Sequence, residues 1–155
     1  PISFQKKINT HMELDKIISI SGRPGLYEVE VQTRTGFIAH SLTDGKRITA
    51  TLSDQVSLLS EINIYGLQAE VPLAEVFQKM LTHENGTKCK VKPKAQPSDL
   101  EAYFFEVFQD YDEERVYPSD IKKMIQWYNI LIDKRLLKPE ASEVQEEKNS
   151  TTKDQ

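Results

Sequence analysis

Tyr27, Val29 and Val31 alternate with Glu28, Glu30 and Gln32, a period of two that predicts a half-buried strand. Two further runs, residues 37–42 and 47–52, flank Asp44-Gly45, the dipeptide favoured in type I′ hairpin turns because both central residues need positive φ. A two-residue loop would set Ser41 opposite Ile48, Ala39 opposite Ala50 and Phe37 opposite Leu52, six residues on one mostly apolar face. Ile62-Asn63-Ile64-Tyr65 reads as a fourth strand, closed by Gly66. Sheets this short leave edges, and closure removes them, so a small antiparallel SH3-like β-barrel is the expected arrangement. Before it, Leu14, Ile17 and Ile18 are spaced i, i+3, i+4, which fits one short helix or turn over residues 12–20. Ser21-Gly22-Arg23-Pro24-Gly25 then forms a turn, and Leu58-Leu59 falls in another.

The period changes beyond Gly66. Leu73, Val76, Phe77, Met80 and Leu81 form a helical core stripe, preceded by Pro72 and stopped by Asn85-Gly86. Residues 87–97 are a basic linker with Pro93 and Pro97. Ser98-Asp99-Leu100-Glu101 has the spacing of a capping box, opening a second helix through Tyr103, Phe104, Phe105 and Phe108. Pro118-Ser119-Asp120 opens a third, with Ile121, Met124, Ile125, Tyr128 and Leu131 on one face. The expected fold class is therefore α+β: a barrel over residues 12–68, helices over 69–137, and a disordered acidic tail over 138–155, too polar to offset its ordering entropy. Residues 1–11 read as a loosely held extension, with Met12 as an alternative start.

Composition narrows the classes. The chain of 155 residues is 38% hydrophobic and 28% charged, enough apolar surface for a core. A net charge of −4 gives no whole-chain footprint for nucleic acid. The single cysteine, Cys89, excludes an intrachain disulfide, and no apolar run approaches the ~20 residues of a membrane span. A cytoplasmic protein without membrane association is expected.

Chemistry is sparse. No nucleophile elbow, zinc-protease helix, paired-cysteine zinc pattern or phosphate loop occurs, so no catalytic residue, cofactor or metal is expected. Residues 110–114 are acidic, but an EF-hand read from Asp110 would put Arg115 at the glycine position and Ile121 at the bidentate glutamate position. Lys88, Lys90, Lys92 and Lys94 share one side of an extended segment but lack interleaved aromatics, which favours a solvated linker over a phosphate track. Residues 98–120, with eight acids against Arg115 alone, are a natural electrostatic partner for that linker. In the second helix Phe105 lies about 100° round from Phe104, so one of them is expected to be exposed.

The leading functional reading is a non-catalytic binding or adaptor module that docks a protein partner through Phe105, Trp127 and Tyr65. The alternative is RNA or ribosome association through Arg23, Arg34, Lys46 and Arg47, beside Tyr27 or Tyr65, with steep salt dependence. An enzyme ranks third. Oligomeric state is not readable.

Residues 12–27, with their Ser21-Gly22-Arg23-Pro24-Gly25 turn, and residues 116–131, with Tyr117-Pro118-Ser119-Asp120, resemble a family of uncharacterised bacterial proteins carrying a domain of unknown function. Asp44-Gly45-Lys46-Arg47 and Glu70-Val71-Pro72-Leu73 add to the resemblance, which spans about residues 12–135. It implies a bacterial, cytoplasmic protein and carries no catalytic motif.

Overall fold

The structure, a computed structural model, describes residues 14–51 and 53–137. The expected extension, the Met12 start, Leu52 and the tail lie outside the described residues. Strands β1 (Ile17–Ile20), β2 (Arg23–Gln32), β3 (Gly36–Ser41), β4 (Arg47–Thr51) and β5 (Val56–Leu58) form one antiparallel sheet in the order β4-β3-β2-β1-β5. A 3₁₀ turn (Leu59–Glu61) leads to a separate two-stranded ribbon, β6 (Asn63–Tyr65) with β7 (Glu70–Pro72). Helices α1 (Leu73–His83), α2 (Pro97–Val107) and α3 (Pro118–Asp133) follow.

The sheet is open, which corrects the expected SH3-like barrel. Among the described residues β4 and β5 are unpaired with each other, and the strand at residues 63–65 pairs outside the sheet. Leu59 is the cause: it is buried within the helical core, and the 3₁₀ turn that carries it takes the chain away from the sheet edge. Ile64 then pairs with Val71, and the Leu73 N–H donates to the Ile62 carbonyl at 2.8 Å.

The helix or turn expected over residues 12–20 holds for residues 14–16, whereas residues 17–20 form a strand. Ile17 enters the core beneath the helices, whereas Ile18 and Ile20 enter a second cluster with Tyr27, Ala39 and Ala50 on the opposite side of the sheet. A strand covered on both faces needs consecutive apolar residues, and β-branched Ile17-Ile18 fits that role better than a helix.

The β3–β4 hairpin exists, but its register is displaced. Phe37 pairs with Ala50 and Ala39 with Ile48, two residues away from the expected pairing, so the apolar face is retained. The turn is longer than type I′: Gly45 alone has positive φ, +75°, and its N–H donates to the Ser41 carbonyl at 2.9 Å. The Ser41 hydroxyl accepts from the Thr43 and Asp44 amides, and the Asp44 carboxylate accepts from the Lys46 amide at 3.0 Å. Burial of Leu42, whose amide donates to the Leu26 carbonyl at 2.9 Å, takes up the extra length. A bulge at Glu30 also turns Val31 away from Tyr27 and Val29, leaving it exposed and opposite Ile38.

The helical stripe of α1 is buried as expected, and Asn85 and Gly86 end it in left-handed conformations at φ 55° and 80°. The α2 capping box does not form. Pro97 occupies the first turn and Gln96 is the N-cap, which places Ser98 inside the helix. In α3 the Asp120 carboxylate instead accepts from the Tyr117 amide at 2.9 Å, capping that helix. One continuous core joins Leu14, Ile17, Leu26, Leu42 and Leu59 to Leu73, Phe77 and Tyr128.

Candidate functional site

Where the sheet meets α3, two cavities lie side by side. The first, about 400 Å³, is walled by the β1–β2 turn, Gln55 and Ser57 of the β5 edge, and Trp127. The second, about 230 Å³, runs between β6 and α3, with Tyr65 and Arg115 at one end and Trp127 at the other. Ile62, Lys123 and Trp127 line both, so the cavities form one groove with a partly buried indole at its centre.

The groove has identifiable local causes. Opposite Ser19, between the Ile18–Tyr27 and Ile20–Arg23 pairs, β2 carries Pro24, Gly25 and Leu26, and the register shifts there. Gly22 and Gly25 have φ of +84° and +83°, a region disfavoured for other residues, and they hold Arg23 at the rim between them. On α3, Lys123 and Trp127 are spaced i, i+4 and share one flank, while Met124, Ile125 and Tyr128 turn into the core.

Charges in the groove differ in how they are engaged. The Arg115 guanidinium lies 4.5 Å from the Tyr65 ring centroid, and its Nε donates to Asp112 at 3.0 Å. That contact, followed by the Glu114 amide, holds the Asp112 carboxyl below the usual carboxylate range. Asp112 of the acidic loop is thus occupied within the fold. Asp120 is engaged in capping α3. The side chains of Arg23 and Lys123 make no ion pair or hydrogen bond among the described residues.

The structure therefore brings Arg23, Tyr65 and Trp127 to one groove and leaves the other expected site residues elsewhere. Phe105 is 52% exposed on α2, outside the groove. Arg34 lies beyond the far end of β2, the ten-residue strand that begins at Arg23. Lys46 and Arg47 stand at the β3–β4 turn. Arg47 bonds Glu30 at 3.1 Å, and His40 Nδ1 donates to the same carboxylate at 2.9 Å. His40 first and Arg47 second hold Glu30 below its ordinary range. Lys123 and Arg115 escaped sequence reasoning; the i, i+4 spacing of Lys123 to Trp127 was the available signal.

The lysine-rich segment is tied down. The Glu84 carboxylate, 8% exposed, accepts from the Tyr103 hydroxyl at 2.6 Å and the Lys90 amide at 3.3 Å. The Cys89 amide donates to the Asn129 side chain at 2.9 Å, and the Tyr128 hydroxyl donates to the Thr87 carbonyl at 2.7 Å. Burial raises the Cys89 thiol, and burial together with the nearby thiol and Glu84 carboxylate lifts Tyr103 far above the phenol range. Tyr128 is lifted by burial and by the Glu84 charge. Such groups stay protonated at neutral pH.

An open antiparallel sheet backed by three helices, with a groove at their junction, is thus the class of structure this chain forms. Residues 14–59 match one domain of unknown function (DUF5606) and residues 62–131 match another (DUF6852). The solution NMR structure of a Bacteroides vulgatus protein, a structural-genomics target, is 39% identical, with a TM-score of 0.68, over 81% of this chain and 89% of that one. No curated protein matches. The chain belongs to the uncharacterised family that these matches define. No helix among the described residues is long and apolar enough to cross a membrane.

Proposed function

We propose that this protein is a non-catalytic binding or adaptor module that docks a segment of a protein partner in the groove around Trp127. The observation that carries the reading is the position of Trp127 itself: a large, partly buried indole that lines two adjoining cavities and is flanked by Ile62 and Lys123. Aromatic anchors in desolvated pockets are the side chains that dominate protein recognition. Gln55, Ser57 and Gln126 line the wall and supply donors and acceptors for an extended backbone.

RNA association is the weaker reading. A phosphate track needs aligned free cations, whereas Arg34 is remote from the groove and Arg47 is paired with Glu30. The reading is tested by affinity capture from the native host at two salt concentrations, with the wild type and Trp127→Ala side by side. Capture of a defined protein that Trp127→Ala loses, while retaining the wild-type circular dichroism spectrum, is expected. Recovery of RNA alone, falling steeply with salt, overturns it.

A further inference from the structure

We infer that the groove selects an acidic linear segment, with carboxylates set against Arg23 and Lys123 and an apolar side chain set against Trp127. The inference rests on the docking reading and adds the partner's chemistry. Its basis is charge complementarity. Arg23, at the start of β2, and Lys123, on α3, both line the larger cavity, and their side chains lack an acidic partner among the described residues. The acid of the smaller cavity, Asp120, is held by the Tyr117 amide at 2.9 Å. The third cation, Arg115, is already neutralised by Asp112 at 3.0 Å. Two positive charges without an acidic partner among the described residues therefore face the groove of a chain whose net charge is −4.

Size and wall chemistry support a peptide. The two cavities, about 400 and 230 Å³, adjoin through Ile62, Lys123 and Trp127, so a chain seated in one can continue into the other. An extended segment can lie across both, with its side chains alternating between the cations and the indole. Nucleic acid fits less well, because two cations separated by a half-buried aromatic give neither a continuous phosphate track nor an exposed stacking platform.

Trp127 is the chain's single tryptophan, so its fluorescence reports the groove directly. The test titrates the full chain with a short peptide rich in Asp and Glu around one central Phe. Its Asn/Gln isostere, a Lys-rich counterpart and oligouridine are the comparison ligands. The acidic peptide is expected to shift Trp127 emission, to weaken with salt, and to bind about tenfold tighter than the isostere, a ~1.4 kcal/mol difference. The double reversal Arg23→Glu with Lys123→Glu is expected to abolish that preference while the circular dichroism spectrum is unchanged. Should the variant unfold, Arg23→Gln and Lys123→Gln, tested singly, must each reduce it. Equal binding of the acidic and neutral peptides overturns the inference and leaves the docking reading standing. Preference for the Lys-rich peptide does the same. A response to oligouridine alone, or to none of the ligands, overturns both.

Discussion

The lysine-rich segment at residues 88–94 and the groove around Trp127 share out positive charge differently: Lys88 and Lys90 of the segment are paired with acids, whereas the groove draws its cations from separate parts of the chain. In the first, lysines crowd the sequence, and Lys88 meets Asp133 at 3.1 Å and Lys90 meets Glu106 at 3.3 Å, while Lys92 and Lys94 meet no acid among the described residues. His83 reaches the same Glu106 at 3.2 Å, and the backbone beneath is fastened by Glu84, Tyr128 and Asn129. In the groove only a few cations gather from distant parts of the chain, yet Arg23 and Lys123 remain free among the described residues. The difference teaches that charge density along a sequence is a poor guide to charge available for a ligand. Folding neutralises neighbours that can reach acids and strands those that cannot.

The largest effect that sharpens this contrast is Glu84→Ala. It leaves the Tyr103 hydroxyl buried without an acceptor and the Lys90 amide without its carboxylate, and is expected to cost about 2–3 kcal/mol in urea unfolding. Alkaline pH attacks the same region. The unfolded chain loses its phenol protons near pH ~10, whereas Tyr103 and Tyr128 keep theirs in the fold. Stability is therefore complete below that pH and falls above it, by up to about 1.4 kcal/mol per pH unit for each phenol. Melting temperature should hold to about pH 9 and then decline, with Tyr103→Phe shallowing the slope. Trp127→Ala is expected to remove partner binding at a stability cost of about 1–2 kcal/mol, because the indole is only partly buried. Smallest of all, Phe105→Ala should change stability by no more than about 0.5 kcal/mol, given its exposure on α2. A larger loss would mean that Phe105 belongs to the core.

What could be read from residue order depended on range. The α1 stripe and its Asn85-Gly86 stop were legible because both signals lie within a few turns of one helix. The β3–β4 hairpin was legible as a hairpin, but its register depended on Leu42 finding the core and on Ser41 and Asp44 bonding the turn amides. The bulge at Glu30, where His40 and Arg47 both hold the carboxylate, was likewise beyond a period-two reading. Sheet closure was the largest misreading. Where residues 63–65 pair depends on β7 and on the loop that follows α2, whose Asp112 amide donates to the Tyr65 carbonyl at 2.9 Å. For the site, residue type suggested Trp127 and Tyr65 in one set with Phe105 and Arg23 in another, and tertiary contact keeps Trp127, Tyr65 and Arg23 together while leaving Phe105 out.

The buried position of Leu59 bears on how the two matched segments are related. Leu59 closes the first, residues 14–59, but its side chain belongs to the same core as Leu73 and Phe77 of the second, residues 62–131. Severing the chain between Ser60 and Glu61 would split that shared interior. Each half made alone should then be a sticky, incompletely ordered fragment. The two halves produced together should reassemble by fragment complementation.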